Sequence, residues 1–342
     1  MKDSDTDGFF KRLINKAKDN IPHTIAVTIG VIAALAFAVW LFVYFKESSE
    51  ASHNVEELKK LKEQIENDPE NREPRLLTPT QIPTSSPTSD ARRDAGSDAG
   101  PAVVTPDCAE PAVTPSATPT FTPTPTPAPP EMTEGGKALY EINPDYRGWL
   151  SIEGTNIDYP VVMERADDDT YYLKHLFDGS ENKNGTLFIP QECEAGVGTL
   201  SDGFAGGICP TTNILIFGHN QKNGKMFGKL ESYLSQDFFE EHKLITFETA
   251  YEQRTYEVIS VFRSHVFMQG EDAFRYYYFY DAKTEQEFDD WYGNITRLSE
   301  VSGGREAKYG DTFITLSTCS DTDETGKIKE NGRLAVIAVR IR

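Results

Sequence analysis

The chain has 342 residues, a formal net charge of −20 and only four cysteines. This length allows one or two domains, and the acidic balance, with no Lys/Arg-rich stripe, argues against nucleic acid as a partner. Four cysteines are also too few for a small scaffold that depends on disulfides.

The first 45 residues predict a membrane anchor. Residues 1–24 form a polar tail, and Ile25 to Phe45 contains no charged residue. A helix of that length, at about 1.5 Å per residue, spans a hydrocarbon core of roughly 30 Å. A cleaved signal peptide is the alternative, since Ala34-Leu-Ala36 is small-x-small, but the apolar run continues well past it. Basic residues before the span place the N-terminus in the cytoplasm and the bulk of this single-pass protein outside the cell membrane: Lys11, Arg12, Lys16 and Lys18.

Two further segments precede the globular part. Residues 46–67 predict a short membrane-proximal helix, because apolar residues recur at 55, 58, 61 and 65. Residues 68–135 are rich in Pro, Thr and Ser and predict a disordered spacer. At about 3.1 Å per residue it reaches up to roughly 200 Å. It is expected to lift the globular domain away from the membrane; an inert tail is the alternative.

Residues 136–342 predict a mainly β domain with peripheral helices. Many short strands with few helices favour a closed or nearly closed β-barrel. Helical patterns cover 170–177, 225–234 and 284–299. The predicted strands are 148–153, 157–163, 185–189, 213–218, 243–248, 254–263, 311–318 and 332–341.

Three reactive side chains stand at the ends of apolar strands in this domain: Cys319, His219 and Arg333. A rigid sheet holds a nucleophile, an acid/base and a cationic clamp in this way. Taken singly, a lone cysteine is more often a small hydrophobe, and a strand-end His or Arg is more often structural. No histidine follows Cys319, which excludes the Cys-before-His order of papain-like proteases.

The motifs around these residues resemble those of sortases, the Gram-positive cell-surface transpeptidases. Ile-Phe-Gly-His-Asn (216–220), Thr-Leu-Ser-Thr-Cys (315–319) and Arg333 carry the resemblance. Gly148 to Val162 and Gly224 to Leu230 are similar to class B members in particular. The resemblance implies the sortase-like eight-stranded β-barrel, preceded here by a transmembrane helix and a disordered stalk.

The resemblance also implies a reaction. Cys319 would attack a C-terminal sorting signal of a secreted protein and form a thioacyl enzyme, His219 would move protons, and Arg333 would stabilise the oxyanion. The acceptor would be an amine of peptidoglycan or of its lipid-linked precursor. No cofactor and no metal are implied.

Five more residues are expected to bind substrate. Ser317 lies two residues before the nucleophile and either contacts substrate or is a plain structural hydroxyl. Phe217 stands where class B members often carry Tyr, and Asp169 where an Asn is usual. The expected substrate-binding set is Ser317, Thr318, Asn220, Phe217 and Asp169.

Cys193 and Cys209 bracket a glycine-rich loop. Outside the membrane, a disulfide between them would close this loop, although spacing alone leaves free thiols as the alternative. A zinc site is disfavoured because no Cys-x-x-Cys or paired His lies nearby.

Three alternative functions remain open on the sequence. The enzyme could polymerise pilins, with a pilin lysine as the acceptor amine. It could hydrolyse its substrate as a surface cysteine protease. It could also be a non-catalytic wall-binding receptor that retains the barrel, although the Cys/His/Arg set argues against this.

Overall fold

The computed structural model describes residues 5–68, 131–197, 209–323 and 325–342. Most of the predicted spacer, residues 69–130, lies outside the described residues. The predicted disorder of that segment therefore stays a prediction.

The N-terminal part is one continuous helix, α1 (Asp5–Glu66). Its portion from Thr28 onward contains an 18-residue window of mean hydropathy 2.3 that is not buried against the protein. By length and composition it is the one helix among the described residues that is able to cross a membrane. The sequence predicted a polar tail, an apolar span and a separate short helix. The structure joins all three, and no Pro or Gly lies between the end of the span and residue 66 to break the helix there.

Eight strands form a closed barrel in the order β1-β2-β3-β4-β7-β8-β6-β5. Neighbouring strands run antiparallel except for the β2–β3 and β4–β7 pairs, which are parallel. Every predicted strand is present, and the predicted mainly β barrel is confirmed. The strands are β1 (Tyr146–Ser151), β2 (Asp158–Met163), β3 (Leu187–Ile189), β4 (Asn213–Phe217), β5 (Leu244–Thr249), β6 (Gln253–His265), β7 (Phe313–Thr322) and β8 (Ile328–Arg340).

Short helical segments precede the barrel strands or lie between them. The predicted helices at 170–177 and 225–234 are reduced to 3-10 turns at Tyr171–Leu173 and Leu230–Leu234. The short helix α3 (Gln236–Glu241) was not predicted. The remaining described helices are α2 (Glu134–Ile142), α4 (Glu285–Leu298) and a 3-10 turn at Tyr276–Tyr278.

Helix α4 and the chain before it cover one face of β7. The helix begins where the Thr284 side chain accepts a hydrogen bond from the Glu287 amide. Its buried Trp291 ring lies 4.9 Å from the Phe313 ring at the start of β7. Because side chains alternate along a strand, Phe313 and Cys319 lie on the same face. The cover over this face ends before Cys319, which is exposed.

The predicted disulfide between Cys193 and Cys209 is absent among the described residues. Cys193 is a free thiol that is only 1% exposed. Its sulfur instead accepts a hydrogen bond of 3.3 Å from the Leu215 amide on β4. The sequence left a disulfide and free thiols as alternatives, and the structure has Cys193 in the hydrophobic core, where a thiol packs as a small apolar group.

We predict that the Cys193 thiol is inert in the native protein. Burial raises the pKa of Cys193 to about 12, so the nucleophilic thiolate is scarce at neutral pH. Native protein treated with iodoacetamide should leave the Cys193 peptide unmodified by mass spectrometry, whereas protein unfolded in guanidinium should be fully labelled there. Labelling of Cys193 at equal rates in both states would contradict this burial.

Candidate active site

The three candidate catalytic residues are brought together by the pairing of β4, β7 and β8. In the parallel β4–β7 pair, Phe217 is the partner of Ser317. In the antiparallel β7–β8 pair, Cys319 is the direct partner of Arg333. His219 follows β4 by two residues, as Cys319 follows Ser317. All three therefore lie near the point where β4 ends.

The segment that carries His219 is bonded to β7 along its length. The Gly218 amide donates to the Ser317 carbonyl at 3.2 Å, and its own carbonyl accepts from Thr318 Oγ1 at 2.7 Å. A side chain at Gly218 would not fit, because a Cβ there would lie 2.3 Å from Leu187 Cδ2. This close approach explains why glycine precedes the histidine.

The ring of His219 is oriented by a backbone carbonyl. Its Nε2 lies 2.9 Å from the carbonyl oxygen of Leu173, in the 3-10 turn after β2. A carbonyl oxygen only accepts, so Nε2 carries the proton and Nδ1 is left for the reacting groups. This bond therefore fixes the tautomer and the orientation of the ring.

Asn220 bonds to the backbone of Cys319 from the histidine loop, which is the segment 218–229 between β4 and the 3-10 turn at Leu230. Its Nδ2 donates to the Cys319 carbonyl at 2.8 Å and lies 3.3 Å from Glu231 Oε1. Because the bond to Cys319 joins the loop of His219 to β7, Asn220 holds this loop beside the backbone of Cys319.

Arg333 lies beside Cys319 on the same face, since directly opposed residues of an antiparallel pair share a face. The guanidinium is half-buried, and its Nη1 donates to the Gly332 carbonyl at 2.9 Å. Burial raises the pKa of Tyr276, and the nearby Arg333 charge opposes that rise. A partly desolvated guanidinium next to an exposed thiol is suited to bind an oxyanion or a substrate carbonyl.

Two of the expected substrate-binding residues do not face solvent. Ser317 is 1% exposed and shares a hydrogen bond of 2.8 Å with the Tyr276 hydroxyl. Thr318 is 2% exposed and bonds to Gly218. Their burial contradicts the expected substrate contact, because neighbouring strands and the cover on β7 enclose both side chains. Both hydrogen bonds hold the strand backbone directly before the nucleophile.

The other expected residues lie elsewhere around the site. Phe217 is half-buried and packs against the Phe188 ring at 5.6 Å. Asp169 is exposed in the turn that follows β2, four residues before Leu173. Asn220 lies at the site itself, and its amide is already bonded to the backbone of Cys319.

Sequence reasoning missed Tyr276, Leu173 and Met226. Tyr276 belongs to a run of three tyrosines, and such an aromatic cluster indicates residues that pack against the core. Leu173 acts through its carbonyl, which no side-chain pattern reveals. Met226 has a left-handed φ of 52° in the histidine loop, where its amide donates to the Tyr159 hydroxyl. Such a backbone is rare for a non-glycine residue and has no sequence signature.

Comparisons with known proteins point to one family. A family model described as the sortase domain matches residues 150–341. Sortase B of Listeria monocytogenes is 28% identical over 207 residues, which cover 60% of this chain and 74% of the relative. Sortase B of Staphylococcus aureus matches with the same identity and the same coverage of both chains.

Solved structures are similar as well. A Staphylococcus aureus sortase B–substrate complex has a TM-score of 0.51 at 25% identity, covering 62% of this chain and 86% of that one. Sortase B from Bacillus anthracis, in complex with AAEK2, has a TM-score of 0.50 at 26% identity, covering 62% and 85%. With its eight-stranded barrel and its cysteine at the end of β7, the chain belongs to the sortase family of cysteine transpeptidases and is similar to the class B members.

Proposed function

We propose that this protein cleaves a C-terminal sorting signal of secreted proteins and transfers the protein to an amine of the cell wall. The observation that carries the proposal is the register that pairs exposed Cys319 with Arg333, beside the loop of His219. An exposed thiol between an imidazole and a guanidinium supports acyl transfer to sulfur.

In the first half-reaction, the Cys319 thiolate attacks the scissile carbonyl carbon and a C–S bond forms. The carbonyl electrons move to oxygen, and the Arg333 guanidinium donates hydrogen bonds to this oxyanion. When the C–N bond breaks, His219 gives its proton to the leaving amine. The product is a thioester between Cys319 and the secreted protein.

In the second half-reaction, an acceptor amine attacks the thioester carbonyl. Neutral His219 takes a proton from this amine, and the collapse of the second tetrahedral intermediate returns the Cys319 thiolate. The new amide joins the secreted protein to the acceptor. The Leu173 carbonyl keeps the imidazole in one orientation for both proton transfers.

The partners and the location follow from the same proposal. The solved Staphylococcus aureus relative is a substrate complex, which supports a peptide substrate for this chain. The acceptor is an amine of peptidoglycan or of its lipid-linked precursor. The apolar part of α1 over residues 25–45 supports a single-pass anchor, with residues 1–24 in the cytoplasm and the domain over 136–342 outside.

We predict that Cys319→Ala abolishes the acyl-enzyme, and that His219→Ala and Arg333→Ala each lower the rate of product formation by at least ~10²-fold. This is the scale expected for the loss of a proton-transfer or oxyanion partner. The measurement is mass spectrometry of the full chain incubated with a panel of sorting peptides and amine acceptors. Cys193→Ala is the matched control, because that thiol is buried and its loss should leave the adduct unchanged.

The products formed with different amine acceptors distinguish wall anchoring from the alternative functions. Amide products with wall-peptide amines support wall anchoring, and products with a pilin-type lysine alone would indicate pilus polymerisation. Release of the peptide as a free acid, at a rate that added amines do not change, would identify a hydrolase. Absence of any covalent adduct at Cys319 across the panel would refute a catalytic role.

We also predict that Asn220→Ala lowers kcat by about 10-fold with little change in KM. The substitution removes the hydrogen bond to the Cys319 carbonyl and loosens His219, so that fewer bound complexes have reactive geometry. Steady-state kinetics of the variant measure the two constants. Asn223→Ala, in the exposed part of the same loop, is the control. A rise in KM at constant kcat would instead place Asn220 in substrate binding.

A further inference from the structure

The part of α1 that follows its apolar span lies along the barrel. Leu58 is 6% exposed and belongs to a buried cluster with Trp149 on β1 and Val162 on β2. Val55, one turn earlier, packs against the same cluster. The apolar spacing of residues 55 and 58, which predicted an amphipathic helix, thus faces the catalytic domain.

Charged groups flank this apolar contact. Lys59 forms an ion pair with Asp158 on β2. Lys62 lies 2.5 Å from Glu248 on β5, with only 13% of its side chain exposed. Both lysines come from the helix and both carboxylates from the barrel, so the charges are complementary across the interface.

A second set of contacts lies nearer the apolar span, where residues 47–52 of α1 bond to the catalytic domain. The Glu47 carbonyl accepts hydrogen bonds from Asn182 at 3.0 Å and from Asn184 at 3.2 Å. Lys225 Nζ donates to the Ser48 hydroxyl at 2.9 Å and to that of Ser52 at 2.6 Å. The domain therefore contacts α1 directly after the apolar span ends at Phe45.

The two ends of the Pro/Thr/Ser-rich segment meet at the far end of this interface. A Cβ placed on Gly135, in α2, would lie 3.0 Å from Glu66 Oε1 and 3.3 Å from Lys62 Cγ. The chain therefore leaves α1 near residue 66 and returns beside it near residue 133. A segment that starts and ends at the same place adds no distance between the anchor and the domain.

The same contacts reach the histidine loop. Asn184, which donates to the Glu47 carbonyl, accepts a hydrogen bond of 3.0 Å from Gln221 Nε2. Gln221 follows His219 by two residues. Standard bond lengths along this path place His219 at most about 25 Å from Glu47.

We propose that α1 is a continuous strut that holds the catalytic domain against the membrane surface. In this proposal, residues 69–130 do not separate the domain from the anchor, because the chain leaves α1 and returns to the same place. This proposal rests on the proposed membrane anchoring and replaces the expected role of the stalk. Its consequence is that both the sorting signal and the acceptor amine react close to the bilayer. A spacer of roughly 200 Å would instead allow reaction far into the wall.

The test uses the full chain in membrane vesicles with a site for a specific protease inserted within residues 69–130. Complete cleavage is verified on a gel before the vesicles are sedimented and washed with 1 M salt, roughly the level at which the screening length falls to 3 Å. We expect the catalytic fragment to sediment with the vesicles after cleavage, because the docked helix retains it. Quantitative release of the fragment into the supernatant would overturn the proposal.

A double variant and its control test whether retention of the fragment depends on this interface. In Leu58→Asp/Lys62→Glu, the apolar contact and the ion pair with Glu248 are lost, so the cleaved fragment should be released while the uncleaved chain still sediments. As a control, Lys60→Glu makes the charge change of Lys62→Glu on the exposed side of the helix and should retain the fragment. Retention in the double variant would mean that the domain binds the bilayer by another surface, against the proposal.

The readout does not depend on catalysis. An uncleaved chain that fails to sediment would refute the membrane anchor, and the strut with it, whereas the acyl-enzyme experiment would still decide the transpeptidase function. Retention by a chain that forms no adduct at Cys319 would support the strut and refute the reaction.

Discussion

The parallel pairing of β4 with β7 is the constraint on which the site depends. It joins two strands that are about a hundred residues apart in the chain and aligns Phe217 with Ser317. Because the side-chain period of a strand is two, a slip of one residue would turn the whole strand over. The observed register leaves Cys319 outward, opposite Arg333 on β8 and next to the His219 loop.

The second requirement is that the residues packed over β7 leave Cys319 exposed. The connection between β6 and β7 buries Phe313 under Trp291 and Ser317 under Tyr276. Cys319 is the next residue on that face and is exposed. Its backbone is thus held in the sheet, while the residue itself remains exposed to solvent.

The same barrel also connects the site to the N-terminal helix. Asn184 contacts both Glu47 on α1 and Gln221 in the histidine loop. Helix α1 and the loop of His219 therefore contact the same side chain. The proposed strut explains why an amphipathic pattern follows directly after the apolar span.

The sequence by itself determined the elements whose signals are local. Alternating and continuous apolar runs predicted all eight strands, helical spacing predicted α4, and the motifs around His219, Cys319 and Arg333 indicated the family. Only the tertiary structure decided which way side chains face and where chain segments meet. Ser317 became a buried support, Cys193 a core thiol, and α1 one docked helix. The reason is physical: these outcomes depend on contacts between residues far apart in the chain, which spacing within one segment does not encode.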